Sequence, residues 1–231
     1  MIVRELFPGK NELEIDPSTS SVAAGQIWYP KISGARFNFV IHSVSREYQN
    51  SNSITNPIDR YFLKVIRSQS DLIITSGKTA KAEALNSSKF APIAIVTNHP
   101  DQLLMPATLE PSSNQVIVCS RTAPTITFQN SNVRFLQLHS QQITEVLEDV
   151  IQATGSSSPV IEVGLSTALE LAREGYFVEL CISVVSATSP QDASSSVEEF
   201  LANLELDVEL LQTLCCMDTY LFRFKALKRN H

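Results

Sequence analysis

The sequence predicts an α/β protein with a mostly parallel mixed sheet, helices on both faces and an antiparallel hairpin at the C-terminal end. Short apolar segments such as PIAIVT (92–97) and VELCISVV (178–185) alternate with longer segments of helical period. This alternation favours parallel pairing, because each helix returns the chain to the start of the next strand. We expect residues 1–35 to form an irregular extension packed on one domain spanning 36–231, since no composition shift marks another boundary.

Composition excludes several classes of protein. With 43% hydrophobic and 18% charged residues the chain is neither disordered nor a coiled coil, and no apolar run approaches about 20 residues. The net charge of −6 argues against nucleic-acid binding. The four cysteines and four histidines show no metal-ligand spacing, and no secretory signal begins the chain. We therefore expect a reduced, cytoplasmic protein with no metal, no nucleic-acid partner and no membrane span.

The first elements follow from alternation and proline placement. FNFVIHS (37–43) alternates and is predicted to be the first strand of the main sheet. Pro57 suits the first position of a helix whose apolar stripe ends near Ser68. DLIIT (71–75) is then a short strand that leads at once into a turn and a helix within SGKTAKAEAL (76–85).

Further strands and a helix follow in the middle of the chain. QVIVC (115–119) and VRFLQL (133–138) are apolar runs of strand length, like PIAIVT before them. Ser140 is predicted to cap a helix with apolar residues at helical spacing, and Gly155 to end it.

The segment PVIEVGLSTALELAREGYFVEL (159–180) predicts a strand, a turn, a helix and a second strand. Thr167 and Glu170 have capping-box spacing, so the helix is expected to begin at about Ala168. Gly175 supplies a left-handed stop after it.

The C-terminal part predicts a loop, a helix and a hairpin. SATSPQDASSS (186–196) has the composition of a flexible loop, and Ser196 with Glu199 has capping-box spacing for the next helix. Residues 207–227 are expected to form two long strands joined by a turn.

The turn at Val163-Gly164 is the first candidate for a binding site. Gly164 allows a ligand to approach the backbone, and the amides that follow carry the positive end of the helix dipole. Ligands of open α/β sheets bind at the carboxyl ends of strands, where this turn would lie. The alternative is that Gly164 only relieves a tight turn and that Ser166 or Thr167 only caps the helix.

The second candidate is ITSGKTAKAE (74–83). A phosphate-binding P-loop would need another glycine five positions before Gly77, and Leu72 stands there, which excludes that motif. What remains is again a strand, a small polar turn and a helix start. Lys78 could meet a phosphate as a point charge or could be an ordinary surface lysine. Two such turns in one chain favour a dinucleotide ligand.

These segments resemble a known family, the bacterial riboflavin-biosynthesis reductases. NPIDRYFLKVIRSQSDLIITSGKTAKAEAL (56–85) is similar to the family's Asp-Arg helix start, terminal arginine, strand and glycine-rich turn. VIEVGLSTALELAREGYFVEL (160–180) is similar to its Glu-Gly-Gly turn, helix and Glu-Leu strand. FNFVIHSVSREY and DTYLFRFKAL resemble its first and last strands, so the similarity covers about residues 35 to 226 in order.

The resemblance implies a dihydrofolate-reductase-like fold of three α/β/α layers, a homodimer, and hydride transfer from NADPH to 5-amino-6-(5-phosphoribosylamino)uracil. It places Glu162 near the substrate as the candidate catalytic carboxylate, although a satisfied structural carboxylate is the alternative. The candidate substrate residues are Asn38, Ser43 and Ser45. The candidate NADPH-binding residues are Thr75, Ser76, Gly77, Thr79, Thr97, Asn98, Val163, Gly164, Leu165, Ser166 and Thr167.

Three segments depart from the family pattern, and the mildest departure is Ser76-Gly77-Lys78 in place of Gly-x-Gly. The first strand leads into Ser43-Val44-Ser45-Arg46, where the family has Ser-Leu-Asp-Gly, and Val163 replaces the first glycine of a pair. A second hypothesis therefore stands beside the reductase: a non-catalytic nucleotide-binding or ligand-sensing relative of the same fold. Titration with NADPH and assay of its oxidation discriminate between the two.

Overall fold

The structure is a computed structural model that describes residues 1–15, 21–43, 55–84, 87–103, 109, 113–176 and 178–227. One mixed sheet runs through these residues. Its eleven strands are β1 (Ile2–Phe7), β2 (Glu12–Glu14), β3 (Arg36–His42), β4 (Leu72–Ser76), β5 (Ile93–Val96), β6 (Val116–Ser120), β7 (Val133–Gln137), β8 (Pro159–Glu162), β9 (Glu179–Val185), β10 (Val208–Cys216) and β11 (Thr219–Ala226).

Six α-helices accompany the sheet in the described part of the chain. They are α1 (Ser21–Trp28), α2 (Pro57–Ser68), α3 (Gly77–Ala82), α4 (Ile143–Thr154), α5 (Leu165–Arg173) and α6 (Pro190–Leu204), with a short 3-10 turn at Pro100–Gln102.

The sheet has a parallel part and an antiparallel part. Its strand order is β2-β1-β10-β11-β9-β3-β8-β4-β5-β6-β7. Every pair from β9 to β7 is parallel, and the pairs from β9 through β11, β10 and β1 to β2 are antiparallel. The predicted α/β class, the mostly parallel sheet and the C-terminal hairpin are confirmed.

The helices form one layer on each face of the sheet. Apolar residues of α4, α5 and α6, such as Leu147, Leu171 and Phe200, are buried in one core cluster. Those of α1, α2 and α3, such as Trp28 and Phe62, are buried in the other. The predicted three-layer arrangement follows, because the central strands β4, β5 and β6 are apolar and buried on both of their faces.

The layers change sides between two neighbouring strands. β4 pairs with β8 in parallel register, and Thr75 lies opposite Glu162. After β4 the chain enters α3 on one face, whereas after β8 it enters α5 on the other. Two connections that leave neighbouring strand ends toward opposite faces of the sheet open a crevice between them. Ligands of open α/β sheets bind in such a crevice.

The expectation of an irregular segment over residues 1–35 was wrong in its secondary structure. β1 pairs antiparallel with β10 and with β2, and α1 packs Trp28 on Phe62 with ring centroids 5.6 Å apart. The strands escaped prediction because their partner lies some 200 residues away in sequence, and short strands are stabilised by cross-strand pairing rather than by local preference.

Three predicted helix starts were also wrong. Ser140 accepts a hydrogen bond from the amide of Gln142, but α4 begins only at Ile143. The true cap of α6 is Ser189, whose hydroxyl accepts from the amide of Asp192, and Pro190 takes the first helical position. Ser196, the predicted cap, lies inside that helix.

The third wrong start is that of α5. It begins at Leu165 rather than near Ala168, since the amide of Ala168 already donates to the carbonyl of Gly164. Thr167 therefore lies in the first turn. The predicted helix ends are correct, because Gly155 and Gly175 both have φ of +68°, which glycine adopts without strain.

Candidate functional site

A cleft of about 840 Å³ opens at the carboxyl ends of β3, β8 and β4. Both turns predicted from the sequence line it, through Ser76 on one side and Gly164 on the other. The helices α2 and α3 form one wall, and α5 with Phe200 of α6 contributes to the other. The structure thus brings together two segments that lie almost ninety residues apart in sequence.

The turn after β8 presents free backbone amides to the cleft. The first helical hydrogen bond of α5 is the one from Ala168 to Gly164, so the amides of Leu165, Ser166 and Thr167 have no partner within the helix. A Cβ added to Gly164 would meet nothing within 4 Å, and its φ is not positive. Gly164 is therefore not needed for the turn itself, and the space in front of it is open.

The turn after β4 is closed by its own side chains. Ser76 caps α3 by accepting a hydrogen bond from the amide of Thr79 at 3.1 Å, and the two hydroxyls lie 3.0 Å apart. Lys78 is beside them in the cleft wall. This side of the cleft therefore offers hydroxyl groups and one ammonium group, and Ser76 already occupies the amide of Thr79.

Most of the predicted site residues line this cleft. They are Asn38, Ser76, Thr79, Glu162, Val163, Gly164, Leu165, Ser166 and Thr167. Val163 has no left-handed backbone angle, and its side chain packs partly against the core cluster under α5 and α6. It occupies the position without backbone strain.

Four predicted coenzyme-binding residues are not in the cleft lining. Thr75 is fully buried, and its Oγ1 donates to the carbonyl of Glu162 at 3.0 Å, which ties β4 to β8. Gly77 packs against Thr97, since a Cβ on Gly77 would come within 2.6 Å of the Thr97 hydroxyl. Thr97 itself accepts from the amide of His99, and Asn98 is exposed.

The predicted substrate residues divide in the same way. Asn38 lines the cleft, whereas Ser43 does not and donates its hydroxyl to the carbonyl of Ser186 at 2.7 Å. Ser45 lies outside the described residues. Of the two that the structure describes, Asn38 alone lies in the cleft lining.

Glu162, the predicted catalytic carboxylate, is held by an arginine of α2. Arg67 donates from Nε to Oε1 at 2.8 Å and from its terminal nitrogen to Oε2 at 2.5 Å. Both side chains are largely buried, at 15% and 9% exposure. The pair is bidentate, so a proton moved onto Glu162 would break a charge-assisted interaction. The satisfied structural carboxylate, left open by the sequence, fits this geometry.

Asp59 is a second carboxylate in the cleft wall. It is 4% exposed and accepts a hydrogen bond from the hydroxyl of Thr55 at 2.5 Å. Burial raises the pKa of this carboxyl above its usual value, although hydrogen bonds from Thr55 and Ser183 and the charge of Arg60 act against the shift. Glu162, a like charge, adds to it.

Site assignment from the sequence overlooked four charged residues that line the cleft: Asp59, Arg60, Arg67 and Glu83. A signal for them exists. On α2, Asp59, Leu63 and Arg67 recur at intervals of four residues and so share one stripe of the helix. That stripe lies next to the buried stripe of α2. Its charged residues therefore indicate the polar wall of a cleft rather than a surface that faces bulk solvent.

Comparisons with known proteins agree on the fold. No protein-family model matches the sequence, and no curated protein does. Among solved structures, a pyrimidine reductase-like protein from Corynebacterium diphtheriae is similar with a TM-score of 0.60 and 14% identity, over 91% of this chain and 100% of that one. The riboflavin biosynthesis reductase Rib7 of Saccharomyces cerevisiae has a TM-score of 0.56 and 12% identity, over 89% and 95%.

A diaminohydroxyphosphoribosylaminopyrimidine deaminase/5-amino-6-(5-phosphoribosylamino)uracil reductase from Thermotoga maritima has a TM-score of 0.58 and 11% identity. The match covers 84% of this chain and 57% of that protein. At these identities the similarity shows the fold, which is the one predicted from the sequence: that of the riboflavin-biosynthesis reductases.

Two further properties of the described residues bear on function. None of their helices has the length and apolar character that crossing a membrane requires. No group of three or more side chains able to bind a metal comes together in this part of the chain.

Proposed function

We propose that this protein is an NADPH-dependent reductase that acts on a pyrimidine ribosylamine phosphate, as 5-amino-6-(5-phosphoribosylamino)uracil reductases do. The observation that carries the proposal is the convergence of the Ser76 and Gly164 turns on one cleft, at the point where the helices change sides of the sheet. Reductases of riboflavin biosynthesis among the similar structures support it.

The cleft fits a dinucleotide in size and in chemistry. Its volume of about 840 Å³ lies within the range of roughly 300–1,000 Å³ usual for ligand sites. The free amides of Leu165, Ser166 and Thr167 suit a pyrophosphate, and the open space at Gly164 lets it approach. Lys78 would add a positive charge from the opposite wall. When bound, the coenzyme supplies the hydride, and the protein supplies position and electrostatics.

The substrate would lie on the α2 side of the cleft. Asn38 offers an amide from β3, and Arg60 is an exposed cation in the same lining that forms no ion pair with any described residue. A guanidinium is suited to a phosphate because it presents several donors in a fixed plane. Arg67 and Glu162 would orient the base through the hydrogen-bonding capacity that their own pair leaves free.

The proposal includes NADPH rather than NADH, a homodimer and a cytoplasmic location, as the family resemblance implies. Titration of the protein with each coenzyme by isothermal calorimetry tests the first of these, and sedimentation tests the second. We expect tighter binding of NADPH.

One observation favours the second candidate, a nucleotide-binding relative without catalysis. Both oxygens of Glu162 accept from Arg67, so this carboxylate is not free to relay a proton. Such a protein would bind the coenzyme and would leave it unoxidised.

Two measurements on the wild-type protein separate the candidates. Calorimetry reports coenzyme binding, and the loss of NADPH absorbance with the ribosylaminouracil phosphate as substrate reports reduction. Binding with oxidation supports the reductase, and binding without oxidation supports the relative. If neither coenzyme binds at millimolar concentration, the reductase hypothesis is rejected.

A further inference from the structure

Asp59 is a buried acid whose environment differs from that of every other carboxylate in the cleft wall. It lies in the first turn of α2, where the side chain of Asn56 caps the helix by accepting from the amides of Ile58 and Asp59. The carboxylate oxygen Oδ2 accepts from the hydroxyl of Thr55. It forms no ion pair with any cation of the described residues, in contrast to Glu162 with Arg67.

The charged groups that act on Asp59 are Arg60 of α2 and Glu162 of β8. Arg60 follows it on α2, and Glu162 faces it from the end of β8 with its own charge paired to Arg67. Ser183 of β9 acts against the upward shift of the Asp59 pKa. Because the group is 4% exposed, water does little to stabilise its charged form, and the protonated form is favoured relative to a carboxyl at the surface.

The proposed reaction requires one proton. Ring opening of a ribosylamine breaks the C1–O bond and gives a C=N bond, with a proton moving from nitrogen to oxygen. Reduction then forms a C–H bond at C1 with a hydride from the nicotinamide coenzyme. The electron pair of the C=N π bond moves to nitrogen, which takes up a proton. The reaction therefore consumes one hydride and one proton in balance, and the proton must come from an acid in the cleft or from water.

We propose that Asp59 is the acid that delivers this proton to the substrate nitrogen, with Thr55 as the residue that holds its carboxyl in place. This inference rests on the proposed reductase function. Geometry selects Asp59 among the three cleft carboxyls. Both carboxylate oxygens of Glu162 accept hydrogen bonds from Arg67. Glu83 is only half-buried at the end of α3, where solvent reaches it.

The first test is a matched pair of variants. Asp59→Asn keeps the size of the side chain and removes the acid, and Glu83→Gln does the same at the other candidate. We expect Asp59→Asn to lower kcat by about 100-fold or more, as loss of a general acid does, and to leave the NADPH Kd within about twofold. Glu83→Gln should retain the alkaline limb of the pH profile, the fall in kcat as the acid loses its proton.

The second test needs no coenzyme and no turnover. Carbon-13 NMR of the ligand-free protein follows the titration of the Asp59 carboxyl directly, and its midpoint should lie above the ordinary value of 3.8. Thr55→Val removes a hydrogen bond that favours the charged form, so the midpoint should rise further. In the active enzyme the alkaline limb should move to higher pH by the same amount.

The outcomes separate this inference from the function on which it rests. A wild-type protein that binds no coenzyme rejects both. Reduction at an unchanged rate by Asp59→Asn rejects the proton donor alone, as does a midpoint at or below 3.8. Loss of the alkaline limb in Glu83→Gln but not in Asp59→Asn assigns the proton to Glu83 and overturns the inference.

Discussion

The guanidinium of Arg67 holds the carboxylate of Glu162 through two hydrogen bonds of 2.8 and 2.5 Å, and so joins the last turn of α2 to the end of β8. The two residues are 95 positions apart in sequence. Both residues line the cleft, and the pairing occupies both oxygens of the candidate catalytic carboxylate.

Removing Arg67 should destabilise the fold. In Arg67→Met the carboxylate of Glu162 remains buried without its partner, and loss of one member of a buried pair costs about 3 kcal/mol. Urea unfolding measures the change. Arg4→Met is the matched control, since Arg4 pairs with Glu12 on the surface at 61% and 54% exposure, and it should leave the midpoint unchanged. Equal midpoints for both variants would contradict a structural role for the Arg67 pair.

The two turn glycines should respond in opposite ways to alanine. At Gly164 a Cβ meets open space, so Gly164→Ala should keep or slightly raise stability, by about 0.4–1 kcal/mol, while weakening NADPH binding about tenfold. At Gly77 the added Cβ would lie 2.6 Å from the Thr97 hydroxyl, and Gly77→Ala should therefore lower the unfolding midpoint. Unchanged NADPH affinity in Gly164→Ala would remove the proposed pyrophosphate site from this turn.

A variant at Val163 tests whether valine, in place of the family's glycine, obstructs the binding of the coenzyme. Its backbone is not strained and its side chain packs partly on the core, so Val163→Gly should cost about 1–2 kcal/mol of stability. We expect the NADPH Kd, measured by calorimetry, to change less than about threefold. A gain of tenfold or more would show that Val163 blocks the phosphates.

Asp71 should make the fold sensitive to acid. Burial alone would raise the pKa of this carboxyl, but hydrogen bonds from Ser156, Ser157, Ser158 and Lys31 lower it well below its ordinary value. A depressed folded-state pKa stabilises the protein above the unfolded value of 3.8, and this contribution is lost as the pH falls below it.

The variant Asp71→Asn should remove that acid dependence. At neutral pH it should cost about 1 kcal/mol, a figure kept small because the side chain is 28% exposed. As the pH falls from 3.8 through the lowered folded-state pKa of Asp71, the variant and the wild type should progressively converge in urea unfolding. A difference that persists there would show that shape rather than charge matters at this position.

Cysteine reactivity should single out Cys215. Burial raises the pKa of Cys119 and of Cys181 to about 12, and these two thiols and Cys216 are buried. Cys215 is half-buried, so a reagent in solvent reaches its thiol more easily than the three buried ones. A thiol reagent should therefore modify one cysteine quickly in the folded protein and all four in urea. Rapid modification of Cys181 would contradict its position inside the sheet.

Local patterns were enough to predict most of the fold. The apolar strands β3 to β9, the proline start of α2, the glycine ends of α4 and α5 and the C-terminal hairpin all follow from residues close together in sequence. Helix starts were less predictable, because several hydroxyl residues compete to cap each helix. The helix α6 begins at Ser189 and Pro190 rather than at Ser196, and α5 begins after Gly164 rather than after Thr167. The tertiary contacts that select these starts are not visible in the sequence.

The sequence by itself determined that two polar turns would each follow a buried strand, since strand, turn and helix start are encoded within ten residues. Only the tertiary structure decided that these turns meet, because β8 inserts between β3 and β4 from more than eighty residues away. It also decided that Arg67 forms an ion pair with Glu162, whereas the buried acid Asp59 has no such partner among the described residues. Charge pairing depends on distance in space, and one-dimensional patterns carry no such distance.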